Sequence, residues 1–158
     1  MHTRSSAIEA SLARLGLTLP VPAAPIGVYL PAVTSGKHIY TSGQLPLAEG
    51  ALIATGRLGA EVSVAEGAVA ARQCALNALG AIAAELGDLA RVTRVVKVVG
   101  FVASTSEFRD QAAVINGASE FLGEVLPGDV GRHARSAVGV AALPLGAPVE
   151  IEMVVEFD

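Results

Sequence analysis

A single cysteine, Cys74, stands in the 158 residues, so no intrachain disulfide can form and no cysteine-rich metal site is available. Tryptophan is absent and aromatic residues make up only 4% of the chain. That removes the stacking platforms on which single-strand nucleic-acid binders rely. Positive charge is scarce as well: 11 Lys and Arg face 15 Asp and Glu, a net charge of −4. A phosphate backbone demands the opposite balance, and the local group Arg132, His133 and Arg135 is too small to reverse it. Nucleic acid is therefore not an expected partner. The histidines His2, His38 and His133 are scattered without ligand spacing, so no metal site is expected.

Long apolar runs are missing too. The longest uncharged segment, Leu15 to Gly36, is broken by Pro20, Pro22, Pro25 and Pro31, and a membrane helix tolerates few such breaks. Arg4 and Glu9 flank too short an apolar stretch for a secretory signal. The expectation is a cytoplasmic protein without membrane contact.

What the chain does carry is hydrophobicity: 52% of its residues, a mean hydropathy of +0.55, and only 16% charged residues. One domain suits this length. Two explanations fit the apolar excess, an Ala/Gly/Val-rich bias or a surface buried between subunits.

Ile8, Leu12 and Leu15 predict a helix over Ser5 to Leu15, stopped at Gly16. The Pro-rich stretch from Thr18 to Pro25 predicts an extended connector. Two short strands, Val28 to Val33 and Lys37 to Ser42, are expected to form a hairpin around a three-residue turn, Thr34-Ser35-Gly36. Gly43 to Gly59 should be an irregular loop, with a third short strand near Leu52 to Thr55. Ser63 to Leu86 is the clearest helix: Ala75, Leu79, Ile82 and Leu86 make one apolar stripe, Ser63 with Glu66 is a capping-box pattern, and Gly87 is a stop.

Arg91 to Ala103 is dense in valine and predicts a buried strand. Ser106 to Val125 predicts a second long helix, ended by Pro127-Gly128. Two strands follow, Ala134 to Ala141 and Val149 to Phe157. In the last, Val149, Ile151, Met153, Val155 and Phe157 alternate with Glu150, Glu152, Val154 and Glu156. The fold class is thus α+β, a sheet with both main helices on one face. Val95 to Val102 is apolar on both sides of its strand, which predicts that another subunit covers the second face.

Three segments can carry chemistry. Arg135 opens a strand with a forked donor matched to a carboxylate. Pairing with an acidic neighbour such as Glu150 or Glu152 is the commoner role for such an arginine. Glu150, Glu152 and Glu156 share one strand face, from which a glutamate near a cleft could hold water or move a proton; a solvated face is the plainer alternative. Thr41-Ser42-Gly43-Gln44-Leu45-Pro46 leaves a strand where a bare backbone N–H can approach a ligand, or where the chain simply exits.

Taken in order, Ile26-Gly-Val-Tyr29, Ile39-Tyr-Thr-Ser-Gly-Gln44, Ala71-Arg-Gln-Cys-Ala-Leu-Asn77, Ala134-Arg-Ser136, Leu143-Pro144 and Val149-Glu-Ile-Glu152 resemble the YjgF/RidA family. The resemblance covers about Pro25 to Phe157. It implies a chorismate-mutase-like α+β fold, residues 20–158 as one domain behind an N-terminal helical extension of residues 1–19, and a homotrimer with ligand clefts between subunits. It implies hydrolysis of small reactive enamines and imines, such as 2-aminoacrylate, to 2-oxo acids and ammonia, with no metal or organic cofactor.

By the same resemblance Arg135 would hold the substrate carboxylate and Glu150 would position the attacking water. Tyr29, Ser42, Gly43, Asn116 and Ala137 would border the pocket. The chain departs from many family deaminases in having Ala137 where they have a cysteine. It also adds about one helical turn between Phe108 and Asn116, and extends the N-terminus to about Leu19. The alternative reading is a trimer that binds a small carboxylate without catalysis, as sensor or chaperone. An endoribonuclease, a label some relatives carry, is disfavoured by the acidic balance and the few aromatics.

Overall fold

The computed structural model describes residues 2–158. Helix α1 spans His2–Arg14, followed by strands β1 (Ala32–Ser35), β2 (His38–Thr41), β3 (Leu47–Ala48) and β4 (Ala51–Leu52). Helix α2 (Val64–Leu86), β5 (Val92–Ala103), α3 (Gln111–Val125), β6 (Ala134–Val140) and β7 (Val149–Phe157) complete the chain. The main sheet runs β1-β2-β7-β5-β6, with β5 and β6 parallel and the other pairs antiparallel. Strands β3 and β4 form a separate small hairpin.

Helix α2 forms where expected because both its ends are specified locally. The Ser63 hydroxyl accepts from the Glu66 N–H at 3.2 Å, and the Glu66 carboxylate accepts from the Ser63 N–H at 2.8 Å. These bonds satisfy two first-turn donors and draw the Glu66 carboxyl below its ordinary range, the Ser63 backbone bond having the larger effect. At the other end Gly87 takes the left-handed conformation, φ 81°. The middle of α2 is rich in small buried residues, among them Ala70, Ala71, Cys74, Ala75 and Ala78, and α3 packs closely against it. A Cβ on Gly117 of α3 would run into the backbone of Ala68.

In β7 the alternation is realised: Val149, Ile151, Met153 and Val155 are buried under the helices, while Glu150, Glu152, Val154 and Glu156 are partly exposed. Directly paired residues share a face. The face away from the helices therefore carries the rows Val33–Tyr40–Val154–Lys97, Glu152–Val99–Ser136 and Glu150–Phe101–Val138. Val33, Tyr40 and Val138 on it are 50%, 50% and 43% exposed.

Several boundaries differ from expectation. Strand β1 starts at Ala32 rather than Val28, because Ser42 ties the preceding segment into a bend: its N–H bonds the Pro31 carbonyl at 2.8 Å and its hydroxyl the Leu30 carbonyl at 2.5 Å. The hairpin turn has two residues, Gly36 and Lys37, since Ser35 pairs with His38 and Gly36 alone needs positive φ, 60°. The third strand is displaced to Ala51–Leu52, where it pairs with Leu47–Ala48. Helix α3 starts at Gln111, not Ser106. The Ser106 hydroxyl bonds the Glu107 side chain instead of capping a helix, and the N–H groups of Ser104 and Thr105 go to the carbonyls of Val140 and Leu58.

Helix α1 was expected over Ser5 to Leu15 and is found over His2–Arg14, and Ile8 and Leu12 enter the same core as α2 and the sheet. Among the described residues no helix is long and apolar enough to cross a membrane.

Candidate functional site

Seven residues were singled out, and the fold divides them between two places. Tyr29, Gly43 and Glu150 line one hollow, together with Pro25, Gln44 and Pro144. Gly43 belongs there for a steric reason: a Cβ at this position would overlap the Glu150 carboxylate. The backbone after β2 can thus lie flat against that carboxyl. Tyr29 is fixed by its own loop, its hydroxyl accepting the Ile26 N–H at 3.3 Å. Ser42 does not face the hollow. Its hydroxyl is committed to the Leu30 carbonyl, so it fastens the Tyr29 loop to β2.

The Glu150 carboxyl is half-buried, and its pKa lies above the ordinary range, first through loss of water and second through the nearby Glu152 carboxylate. Among the described residues no donor bonds it. The same carboxylate acts on Cys74 behind it. Burial chiefly, with Glu150 adding, pushes that thiol well up, and its Sγ leans on the Val149 carbonyl at 3.6 Å. Cys74 is therefore an unreactive core residue.

Arg135 lies elsewhere. It pairs with Val98, a fully buried core residue, whereas Glu150 pairs with Phe101 on the opposite face. Within one chain the two do not meet. The Arg135 guanidinium donates to the Asn116 side-chain oxygen at 2.8 Å, the Ser119 hydroxyl at 3.1 Å and the Ala112 carbonyl at 3.4 Å. No carboxylate pairs with it among the described residues, so within one chain it does not pair with Glu150 or Glu152. Ala137 follows on the same side of β6, adding a methyl group against the core.

The arginine cluster has two further members, Ser119, which was not foreseen, and His133, which was expected only as part of a small basic group with Arg135. Ser119 stands one helical turn after Asn116 on α3, and His133 lies just ahead of β6. His133 Nδ1 lies 2.7 Å from the Gly131 carbonyl and Nε2 lies 2.9 Å from Ser119 Oγ. A carbonyl can only accept, so Nδ1 carries the hydrogen, and in the neutral ring Nε2 accepts from Ser119. The i, i+3 spacing of Asn116 and Ser119 was the available signal. Among the described residues no three His, Cys, Asp or Glu side chains gather as metal ligands.

A forked cation without a counter-charge and a half-buried carboxyl against a bare glycine, set in this sheet order, suit recognition of a small organic acid. The endoribonuclease L-PSP family matches residues 21–157, and solved YjgF and RidA structures share the fold. The chain belongs to the YjgF/RidA family. TCP17 of Trypanosoma cruzi is 49% identical over 154 residues, covering 98% of this chain and 96% of TCP17. Atu1372 of Agrobacterium tumefaciens is similar in structure, with a TM-score of 0.91 and 47% identity over 99% of this chain and 96% of Atu1372. Escherichia coli TdcF, solved with bound serine, has a TM-score of 0.60 and 26% identity over 89% of this chain and 96% of TdcF. The lower score accompanies the lower coverage.

Proposed function

We propose that this YjgF/RidA protein hydrolyses small reactive enamines and imines bearing a carboxylate, of the 2-aminoacrylate type, to 2-oxo acids and ammonia, acting as a homotrimer. The observation that carries the reading is the complementary pair of half-sites. Arg135 is held rigid by neutral partners and keeps its charge uncompensated, and Glu150 keeps a carboxyl of raised pKa in a hollow with Tyr29 and Gly43. Because the two occupy opposite faces of one sheet, a second copy would bring its own Arg135 to the Glu150 hollow. The serine bound by TdcF, itself a small amino acid with a carboxylate, supports a ligand of this class.

The chemistry asks little of the scaffold. Arg135 anchors the carboxylate by two parallel bonds and so orients the electrophilic imine carbon. An enamine such as 2-aminoacrylate first takes a proton at its CH2 carbon to become the imine. Water adds to the imine carbon as Glu150 takes a proton from it and the imine nitrogen takes one from solvent, giving a carbinolamine. Glu150 returns its proton to that nitrogen, the C–N bond breaks, ammonia leaves, and the hydroxyl gives up its proton as it becomes the 2-oxo group. A carboxyl of raised pKa suits both directions of that transfer.

The test is release of 2-oxo acid from 2-aminoacrylate generated in situ. Wild type should accelerate it over background. Arg135→Ala should raise KM strongly, and Glu150→Gln should lower kcat by roughly a hundredfold or more. No acceleration by the wild type would leave only carboxylate binding.

A further inference from the structure

The hollow at the carboxyl ends of β5 and β6 is separate from both half-sites. It measures about 590 Å³, and Arg57, Ser104, Thr105, Arg109, Gln111 and Gly139 line it. Two guanidiniums and no carboxylate line it, in a chain whose net charge is −4. Among the described residues neither arginine makes an ion pair. Glu61 feels the charge of Arg57, but its Oε2 is taken by the Arg57 backbone N–H at 2.8 Å. Arg109 Nη1 is anchored on the carbonyls of Ser106 and Phe108, which sets the direction of its remaining donors.

The backbone brings these groups together. The Leu58 N–H bonds the Ala103 carbonyl at 2.8 Å and the Thr105 N–H bonds the Leu58 carbonyl at 3.0 Å, so the Arg57 loop is fastened beside residues 104–109. Strands β5 and β6 are parallel with α3 between them. In such a unit the carboxyl ends of the strands and the amino end of the helix border the same space, where anions bind. The first turn of α3 has no acidic residue, and its N-cap residue Asp110 makes no side-chain capping bond, so no cap side chain occupies the first-turn N–H groups. Gly139 keeps the floor open: a Cβ there would stand 2.9 Å from both Gln111 Nε2 and Ser104 Oγ.

We propose that this hollow binds a small phosphate-bearing metabolite, its phosphate held between Arg57 and Arg109 at the start of α3. One guanidinium fork already saturates the two oxygens of a carboxylate, whereas two cations from separate loops, with the Thr105 hydroxyl and helix N–H donors, match a dianion with three free oxygens. The volume is that of a small-molecule pocket rather than of a lone ion. Arg109 and Gln111 come from the stretch after Phe108 that carries the extra helical turn, which the deaminase reading leaves without a role. The proposal does not depend on that reading.

The experiment titrates the full-length protein with inorganic phosphate, glycerol 3-phosphate and acetate at constant ionic strength, followed by backbone and arginine NMR signals. Phosphate and glycerol 3-phosphate should shift the signals of Arg57, Arg109 and Gln111 and bind more tightly than acetate. Arg57→Gln and Arg109→Gln should each weaken phosphate binding roughly tenfold. Arg57→Lys, which keeps the charge without the fork, should fall between, and Arg135→Gln should leave the affinity unchanged. Absence of shifts, a preference for acetate, or unaltered affinity in the double variant R57Q/R109Q overturns the proposal. Loss of phosphate binding in R135Q would place the anion at the other site and overturn it equally.

Discussion

Glu150 shows how a single side chain can work against the fold that holds it. Its folded-state pKa is raised, first by burial and then by Glu152, so the native chain holds that proton more tightly than the unfolded chain does. The resulting stability is fully present below the ordinary carboxylate pKa and is lost as pH rises through the raised one. At neutral pH the ionised carboxylate is therefore a net cost. Glu150→Gln should raise the thermal midpoint at neutral pH and leave it unchanged at strongly acidic pH, while activity falls. Melting curves across the carboxylate range decide this, and parallel profiles for the two proteins would refute it. Opposite stability and activity responses are what a group retained for chemistry should give.

At the scale of elements, the long helices test two different kinds of constraint. Ser63→Ala removes one half of the α2 capping box and should cost about 1 kcal/mol, read from the denaturant midpoint at unchanged slope. Gly117→Ala places a methyl group against the Ala68 backbone, which cannot move aside as a side chain can. The cost should be larger, roughly 1–3 kcal/mol or more. Equal effects of the two would mean that α2 and α3 are not packed as closely as described. The capping box was legible in the sequence because it is a local pattern. The close α2–α3 contact was not, because nothing within one helix marks which glycine meets the other.

For the whole molecule, the open sheet face is the feature that a single chain leaves unanswered. Val33, Tyr40 and Val138 are about half exposed on it, beside Val99, Phe101 and Val154. The apolar excess of the composition is consistent with this patch, and the proposed assembly covers it. Light scattering on the purified protein should give three times the chain mass. Val138→Asp, which puts a charge into the patch without touching the core, should lower that mass and the activity together. A wild type that stays monomeric at all concentrations would remove the shared site with it.

Much of this architecture was readable directly from residue order. The β7 alternation, the α2 stripe with its caps and the valine-dense β5 are periodic or local signals, and each was found close to its observed bounds. Strand β1 and the start of α3 were misplaced because distant partners decide them, Ser42 holding Leu30 and Pro31 in one case, Leu58 and Val140 holding residues 104 and 105 in the other. The candidate site divides the same way. Residue types offered Arg135 and three glutamates, and the family resemblance chose Glu150 among them, but only strand register could reveal that Arg135 and Glu150 face opposite sides of one sheet. Side-chain direction depends on pairing across the sheet, and pairing is a property of the folded chain.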